Sequence, residues 1–182
     1  VESKSGERGI FNRVSAQKQA AKNGRRNPDY EFGTNPCSEI ILRPHQFCNL
    51  TEVVVKEHDT DDDLDRKVRL ATILGTAQST LTNFPYLRKV WKNNTQEERL
   101  LGVSLTGIMD NIHTNCFLVN MRERLTRMKQ IAIDTNKKYA KRFGIEESTA
   151  ITCVKPSGTV SQLCDSASGI HARHSRYYIR TV

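Results

Sequence analysis

The sequence predicts an α/β fold, on three observations. Residues 39–42 and 50–55 are short runs rich in aliphatic and β-branched side chains, the composition of strands. Two longer segments repeat apolar residues every three or four positions, the spacing of a helix with one buried face. A last apolar run, residues 149–154, enters a turn rich in Gly, Ser and Thr.

In chain order, residues 1–33 read as a polar lead-in. Ile10 and Phe11 are its short apolar anchor, and residues 18–26 form a basic loop or short helix ended at Gly24. The first strand is broken by Arg43-Pro44-His45, and the second covers 50–55. Six acids between Glu57 and Asp65 lack the glycine and final glutamate of a calcium loop. They suit a helix N-terminus, where carboxylates favour the dipole. That helix is expected over 62–83, burying Leu64, Val68, Ala71, Leu74, Ala77, Leu81 and Phe84, and Pro85 ends it. Thr95-x-x-Glu98 reads as a capping box ahead of a small-residue helix over 102–109. Asn120-x-x-Glu123 caps a long helix whose face runs from Met121 through Met128 and Ala132 to Phe143, with Gly144 as its stop. Residues 175–180 alternate well enough to close the chain as a strand.

Composition narrows the class. A chain of 182 residues has room for one domain with a real core. With 37% hydrophobic and 26% charged residues, it is not a disordered chain. No run of eighteen apolar residues is present, so no transmembrane helix is expected. The polar start at Val1 argues against a secretory leader and suggests a natural start further upstream. Five cysteines at irregular spacings suit a reduced, cytoplasmic protein, with Cys116, Cys153 and Cys164 as ordinary buried thiols. His171 and His174 have no carboxylate partner, so no metal site is expected. The net charge of +8 gathers partly in residues 1–26 and in Arg173, Arg176 and Arg180, a balance that suits a polyanion. A basic nucleic-acid-binding module is one reading of that charge, but no RNA-recognition or helix-turn-helix signature accompanies it.

The chemistry concentrates in Thr34-Asn35-Pro36-Cys37-Ser38-Glu39, with Cys48-Asn49-Leu50 eleven residues after Cys37. Extended backbone would put Asn35, Cys37 and Glu39 on one face: an amide, a thiol and a carboxylate. A thiolate nucleophile wants a cationic neighbour, whereas Glu39 would raise the thiol pKa. The cluster therefore suits a thiol acting by hydrogen-atom transfer, which needs no ionisation. Downstream, Lys155-Pro156-Ser157-Gly158-Thr159-Val160-Ser161 has the strand–turn–helix form that presents backbone N–H groups to phosphate, without the Walker A pattern.

Together these motifs resemble the ribonucleotide reductases. Asn35-Pro36-Cys37-Ser38-Glu39, Cys48-Asn49-Leu50, residues 154–161, Gly169-Ile170-His171 and the upstream Ser5–Ile10 stretch resemble the adenosylcobalamin-dependent, class II branch, and most closely its monomeric, triphosphate-reducing type. The resemblance implies a role for each matching position. Cys37 would carry a transient thiyl radical that takes the ribose 3′ hydrogen. Glu39 would accept the 3′-hydroxyl proton, and Asn35 would hold the ribose hydroxyls. Cys48 would be one of two reducing thiols. Ser157, Gly158, Thr159, Val160 and Ser161 would receive the substrate phosphates.

The resemblance also implies half of a ten-stranded α/β barrel, of the kind shared with glycyl-radical enzymes, with the radical cysteine on a central finger loop at 34–39. The alternation at 35–39 is then a loop tip, with the sheet beginning at Ile40. The implied layout is one fragment, 1–182: lead-in 1–33, active-site loop and following strand 34–50, helical section 57–145, phosphate turn and closing strand 149–182. The implied cofactor is adenosylcobalamin. The implied partners are a ribonucleotide, a thioredoxin-like reductant and the preceding half of the barrel, with no membrane and no nucleic acid. No cysteine precedes Cys37, so the second reducing thiol is expected upstream of this sequence. A class I enzyme with a metal-radical small subunit shares the Asn, Cys and Glu and is the alternative within the family. The Tyr177-Tyr178 pair is not expected to relay radicals.

Overall fold

The central feature is a parallel pair, β3 (Asn49–Val54) and β4 (Leu101–Thr106), in register from Asn49 opposite Leu101 to Val54 opposite Thr106. Thr152 bridges Val103 on the other side of β4, also in parallel. The computed structural model describes residues 9–111 and 120–179. Within them, α1 (Arg13–Ala21) leads to a hairpin of β1 (Gly33–Thr34) and β2 (Ile41–Leu42). After β3 come α2 (Asp61–Gln78) and α3 (Lys89–Glu98), then β4 and a 3-10 turn (Ile108–Asp110). Helix α4 (Met121–Phe143) and the short α5 (Thr159–Leu163) complete the order. Parallel neighbours need crossovers, and α2 with α3, then α4, supply them.

The helices α2 and α4 cover one face of the sheet. Val53, Val55, Leu101, Val103 and Ile151 meet Leu64, Val68, Met128 and Ala132 in one core cluster. Thr60 caps α2 in a reciprocal box with Asp63, and three acids occupy its first turn. This is the outcome expected for the acidic run. The helix stops at Gln78, five residues short of the expected end, where the Ser79 and Thr80 hydroxyls donate back to the carbonyls of Thr76 and Ala77. Leu74 and Leu81 are exposed rather than core. Between α2 and α4, the Asn136 amide donates to Thr76 Oγ1 and Ser148 Oγ, and accepts from the Ser148 N–H, so these buried polar groups are satisfied together.

Several expectations are corrected. Residues 102–109 are not a helix, so the section 57–145 is not helical throughout: β4 runs through it. Thr95 and Glu98 are not a cap but the buried last turn of α3, which Arg99 ends in a left-handed conformation at φ 43°. Every residue of β4 but Leu105 is buried, and a strand buried on both faces shows no alternation. Residues 149–154 form only the single bridge at Thr152. Residues 175–179 form no strand, and Arg180 lies outside the described residues. Ile10 is fully exposed and anchors nothing among the described residues. Cys116 and the Ser5–Arg8 part of the upstream motif also lie outside them.

Candidate active site

The hairpin tip follows from its residue types. Asn35 and Pro36 occupy the first two positions of a β-turn, where Asn and Pro are favoured, and the Ser38 N–H closes it on the Asn35 carbonyl at 3.0 Å. Cys37 is therefore the turn's third residue and is exposed. Ser38 continues in the left-handed region at φ 62°, turning the chain back. The Ile40 N–H donates to Asn35 Oδ1 at 3.1 Å, which fixes the amide and leaves its NH2 beside Glu39. The strand resumes at Ile41. Asn35, Cys37 and Glu39 thus lie on a turn, not on a strand face.

A buried ion pair fastens this hairpin. Arg26 Nε and Nη2 each donate to Glu98 at 2.8 Å, and Nη1 donates to the Ile41 carbonyl at 2.8 Å. Both side chains are almost wholly buried, and Gln46 donates to Glu98 as well. The Arg26 guanidinium also lies over the Phe32 ring, 4.7 Å from its centroid. Arg26 belongs to the lead-in, Ile41 to β2 and Glu98 to the end of α3, so one guanidinium joins three segments.

Glu39 points inward. Its side chain is 2% exposed, and Lys155 Nζ lies 2.9 Å from Oε1. Neither carboxylate oxygen receives a well-aligned hydrogen bond. Burial pushes the Glu39 pKa up, but the Lys155 ammonium and the Asn35 amide outweigh it and hold the carboxyl below its ordinary value. The same contact raises Lys155 above its ordinary value.

Two sulfurs stand beside this pair. Burial, then the neighbouring Cys153 and Glu39, push the Cys48 thiol up to about 12. Burial and Glu39 push Cys153 up to about 11. Both thiols are neutral at physiological pH, which suits hydrogen-atom chemistry and opposes a thiolate. The two sulfurs lie 3.3 Å (Cys48) and 3.2 Å (Cys153) from the point a Cβ on Gly102 would occupy. Their backbones flank β4 on opposite sides, two strand spacings or roughly 9–10 Å apart. That exceeds the reach of a disulfide without backbone movement, and both cysteines are free. Gly102, lacking a side chain, leaves room for both sulfurs. Gly102→Ala would also bring a methyl 2.4 Å from Leu50 Cδ2. Such overpacking is expected to cost about 1–3 kcal/mol. A lower denaturant midpoint at constant slope would show it, and an unchanged midpoint would mean that the sulfurs give way freely.

Sequence reasoning set Cys153 aside and did not single out Lys155. The signal for both was present: they directly precede the Pro-Ser-Gly-Thr turn, on the segment that bridges β4.

The turn itself has mixed properties. Ser157 is buried and its Oγ has no partner. Gly158, Thr159 and Val160 are exposed. Ser161 is fully buried, and its hydroxyl donates to the Gly158 carbonyl at 2.7 Å, which leaves it a support of the turn. Ser168 Oγ donates to the Ser157 carbonyl, and the Gly169 N–H donates to Thr106 Oγ1 at 2.8 Å, tying the turn to β4.

Three of the arginines in the two basic regions are paired within the chain. Arg25 donates to the Ser148 carbonyl, Arg26 is paired with Glu98, and Arg173 pairs with Asp110 and Asp165. Among the described residues no His/Cys/Asp/Glu group is arranged to hold a metal ion, and no helix is long and apolar enough to cross a membrane.

No family model matches the chain. A probable adenosylcobalamin-dependent ribonucleoside-triphosphate reductase of Dictyostelium discoideum is 31% identical over 152 residues, covering 83% of this chain and 19% of that protein. The adenosylcobalamin-dependent ribonucleoside-triphosphate reductase of Euglena gracilis is 30% identical over 160 residues, 84% of this chain and 21% of that protein. That of Lactobacillus leichmannii is 27% identical over 175 residues, 82% of this chain and 23% of that protein. Among solved structures, a B12-dependent, class II ribonucleotide reductase matches with a TM-score of 0.62 at 26% identity, over 79% of this chain and 23% of that one. The chain spans about a fifth of the length of the curated relatives it matches. By sequence and by fold, over most of its length, it is homologous to a segment of the adenosylcobalamin-dependent, class II ribonucleotide reductases.

Proposed function

We propose that this chain is the part of a ribonucleoside-triphosphate reductase that carries the radical cysteine, the proton acceptor and one reducing thiol. The observation that carries the reading is the convergence of the Asn35-Cys37-Glu39 turn with Cys48 at one end of a parallel sheet. In this reading the 33–42 hairpin is the finger loop of a barrel. The sheet order supports it: consecutive parallel strands with helices on one face are how such a barrel is built. β3 pairs with β4 alone among the described residues, and the exposed Leu50, Leu70 and Leu74 line a groove along it. Parallel sheets are normally covered, so the preceding part of the same barrel is the fitting occupant.

The roles are those the resemblance implies, and the geometry supports them. Cys37, exposed at the tip, is open to a radical source, and hydrogen-atom transfer from sulfur needs no prior ionisation. That exposure fits adenosylcobalamin, which when bound supplies a radical by homolysis of its cobalt–carbon bond. The Cys37 thiyl takes the 3′ hydrogen of the ribose, while Glu39, already ionised, accepts the 3′-hydroxyl proton. The Asn35 amide, held through its Oδ1, presents its N–H groups to the ribose hydroxyls. Cys48 delivers hydrogen at C2′ after water leaves, together with a second thiol from the rest of the protein. A thioredoxin-like dithiol restores the pair. Ser157, with its unpartnered hydroxyl, and the exposed Gly158–Thr159 face the substrate phosphates, while Ser161 keeps the turn in shape.

The test is product formation by the complete protein that contains this segment. Supplied with adenosylcobalamin, a dithiol reductant and a ribonucleoside triphosphate, it is expected to form the 2′-deoxyribonucleotide. No product under those conditions, with product appearing only when a metal-radical subunit is added, would move the assignment to class I. No product under either condition would sink the reductase reading.

A further inference from the structure

We propose that Lys155 is a positioning residue for Glu39, holding its carboxylate ionised and in place at the hairpin tip before substrate arrives. The inference rests on the reductase reading, because it assigns how that reading's proton acceptor is prepared. A buried carboxylate without compensation is costly and tends to take up a proton. Glu39 is almost fully buried and lacks aligned hydrogen bonds, yet a base that is already protonated can accept nothing. The ammonium 2.9 Å away supplies the missing compensation.

Among the other groups facing Glu39, the Asn35 amide helps by a hydrogen bond but carries no charge, and Cys48 and Cys153 are neutral thiols on the sheet side. Arg25, Arg26 and Lys129 line a cavity that Glu39 also lines. Arg26 is already paired with Glu98, and Arg25 donates to the Ser148 carbonyl. Lys129 is a candidate for the same role, and the experiment includes it. Lys155 also connects two parts of the site. It reaches the hairpin tip from the segment that bridges β4 and lies two residues before Ser157. Its role is electrostatic: the proton passes from the substrate 3′-hydroxyl to Glu39 and back, and Lys155 remains an ammonium throughout.

The sign of the effect is fixed. Lys155 lowers the Glu39 pKa, so removing it lets burial raise that pKa. The acidic limb of the pH profile of kcat in the complete protein then moves to higher pH. For Lys155→Met the expected move is about one pH unit or more. At a pH below the limb, kcat falls by about tenfold or more, with the KM for the nucleotide unchanged within about twofold. Lys155→Arg restores the limb, and Lys129→Met leaves it in place. Three outcomes overturn the proposal: a Lys155→Met limb at the wild-type pH, a limb that moves in Lys129→Met instead, or a raised KM with an unmoved limb, the sign of a phosphate contact. If Lys155→Met does not fold, a Lys155→Arg limb shifted upward as for an unpaired Glu39 also overturns it. Failure of the reductase reading is separate, because the wild-type protein would then form no deoxyribonucleotide at all.

Discussion

Cys37→Ser in the complete protein is expected to abolish deoxyribonucleotide formation while leaving nucleotide binding intact. Serine keeps the size and the turn geometry, since the turn is closed by the Ser38 N–H on the Asn35 carbonyl and not by the Cys37 side chain. What is lost is the weak S–H bond: an O–H bond is much stronger, and a hydroxyl cannot be converted to a radical at the same energy. Groups that act as one unit fail together, so the loss approaches the full catalytic effect. Turnover by quenched flow and nucleotide affinity by calorimetry separate the two parts. Wild-type turnover in the serine variant would remove the thiyl assignment. Lost affinity would mean that the turn had collapsed.

The second large effect belongs to Glu98. Glu98→Ala leaves the Arg26 guanidinium buried with only the Ile41 carbonyl and Gln46 as partners. An uncompensated buried charge of this kind costs about 3–5 kcal/mol. The denaturant midpoint should fall accordingly, and a loss under about 1 kcal/mol would show that solvent reaches the pair. Replacing both partners, as Arg26→Met with Glu98→Leu, is expected to recover most of that stability, because an apolar pair avoids the desolvation penalty. It does not restore the hydrogen bond to Ile41. Turnover in the double variant is therefore expected to stay low while the midpoint recovers, which separates the fastening of the hairpin from the stability of the fold.

What could be read beforehand divides along physical lines. Local chemistry was legible. The acidic run lies at the start of α2, as its charge implied, and Gly144 ends α4 in the left-handed conformation. Non-local pairing was not. Residues 101–106 look like a small-residue helix because a strand buried on both faces has no period. Glu98 imitates a capping residue, yet its carboxylate is claimed by Arg26, seventy-two positions earlier. Among the candidate site residues, Asn35, Cys37 and Glu39 are adjacent in sequence and were found together. Cys153 and Lys155 join them only because the segment after α4 returns beside β4, and no spacing in the sequence records that return.

The Arg26–Glu98 pair has a consequence for tolerance. Glu98 ends α3, and β4 begins three residues later at Leu101, with Gly102 between the two sulfurs. The hairpin with Cys37 is moored to that same glutamate through Arg26 and Ile41. The tip and the thiol sheet are thus measured from one shared reference point. When the end of α3 shifts, both move with it, and the shift cancels from the distance between them. Thermal wandering of that helix end is common-mode noise, and the spacing on which the proposed hydrogen-atom transfer would depend is shielded from it.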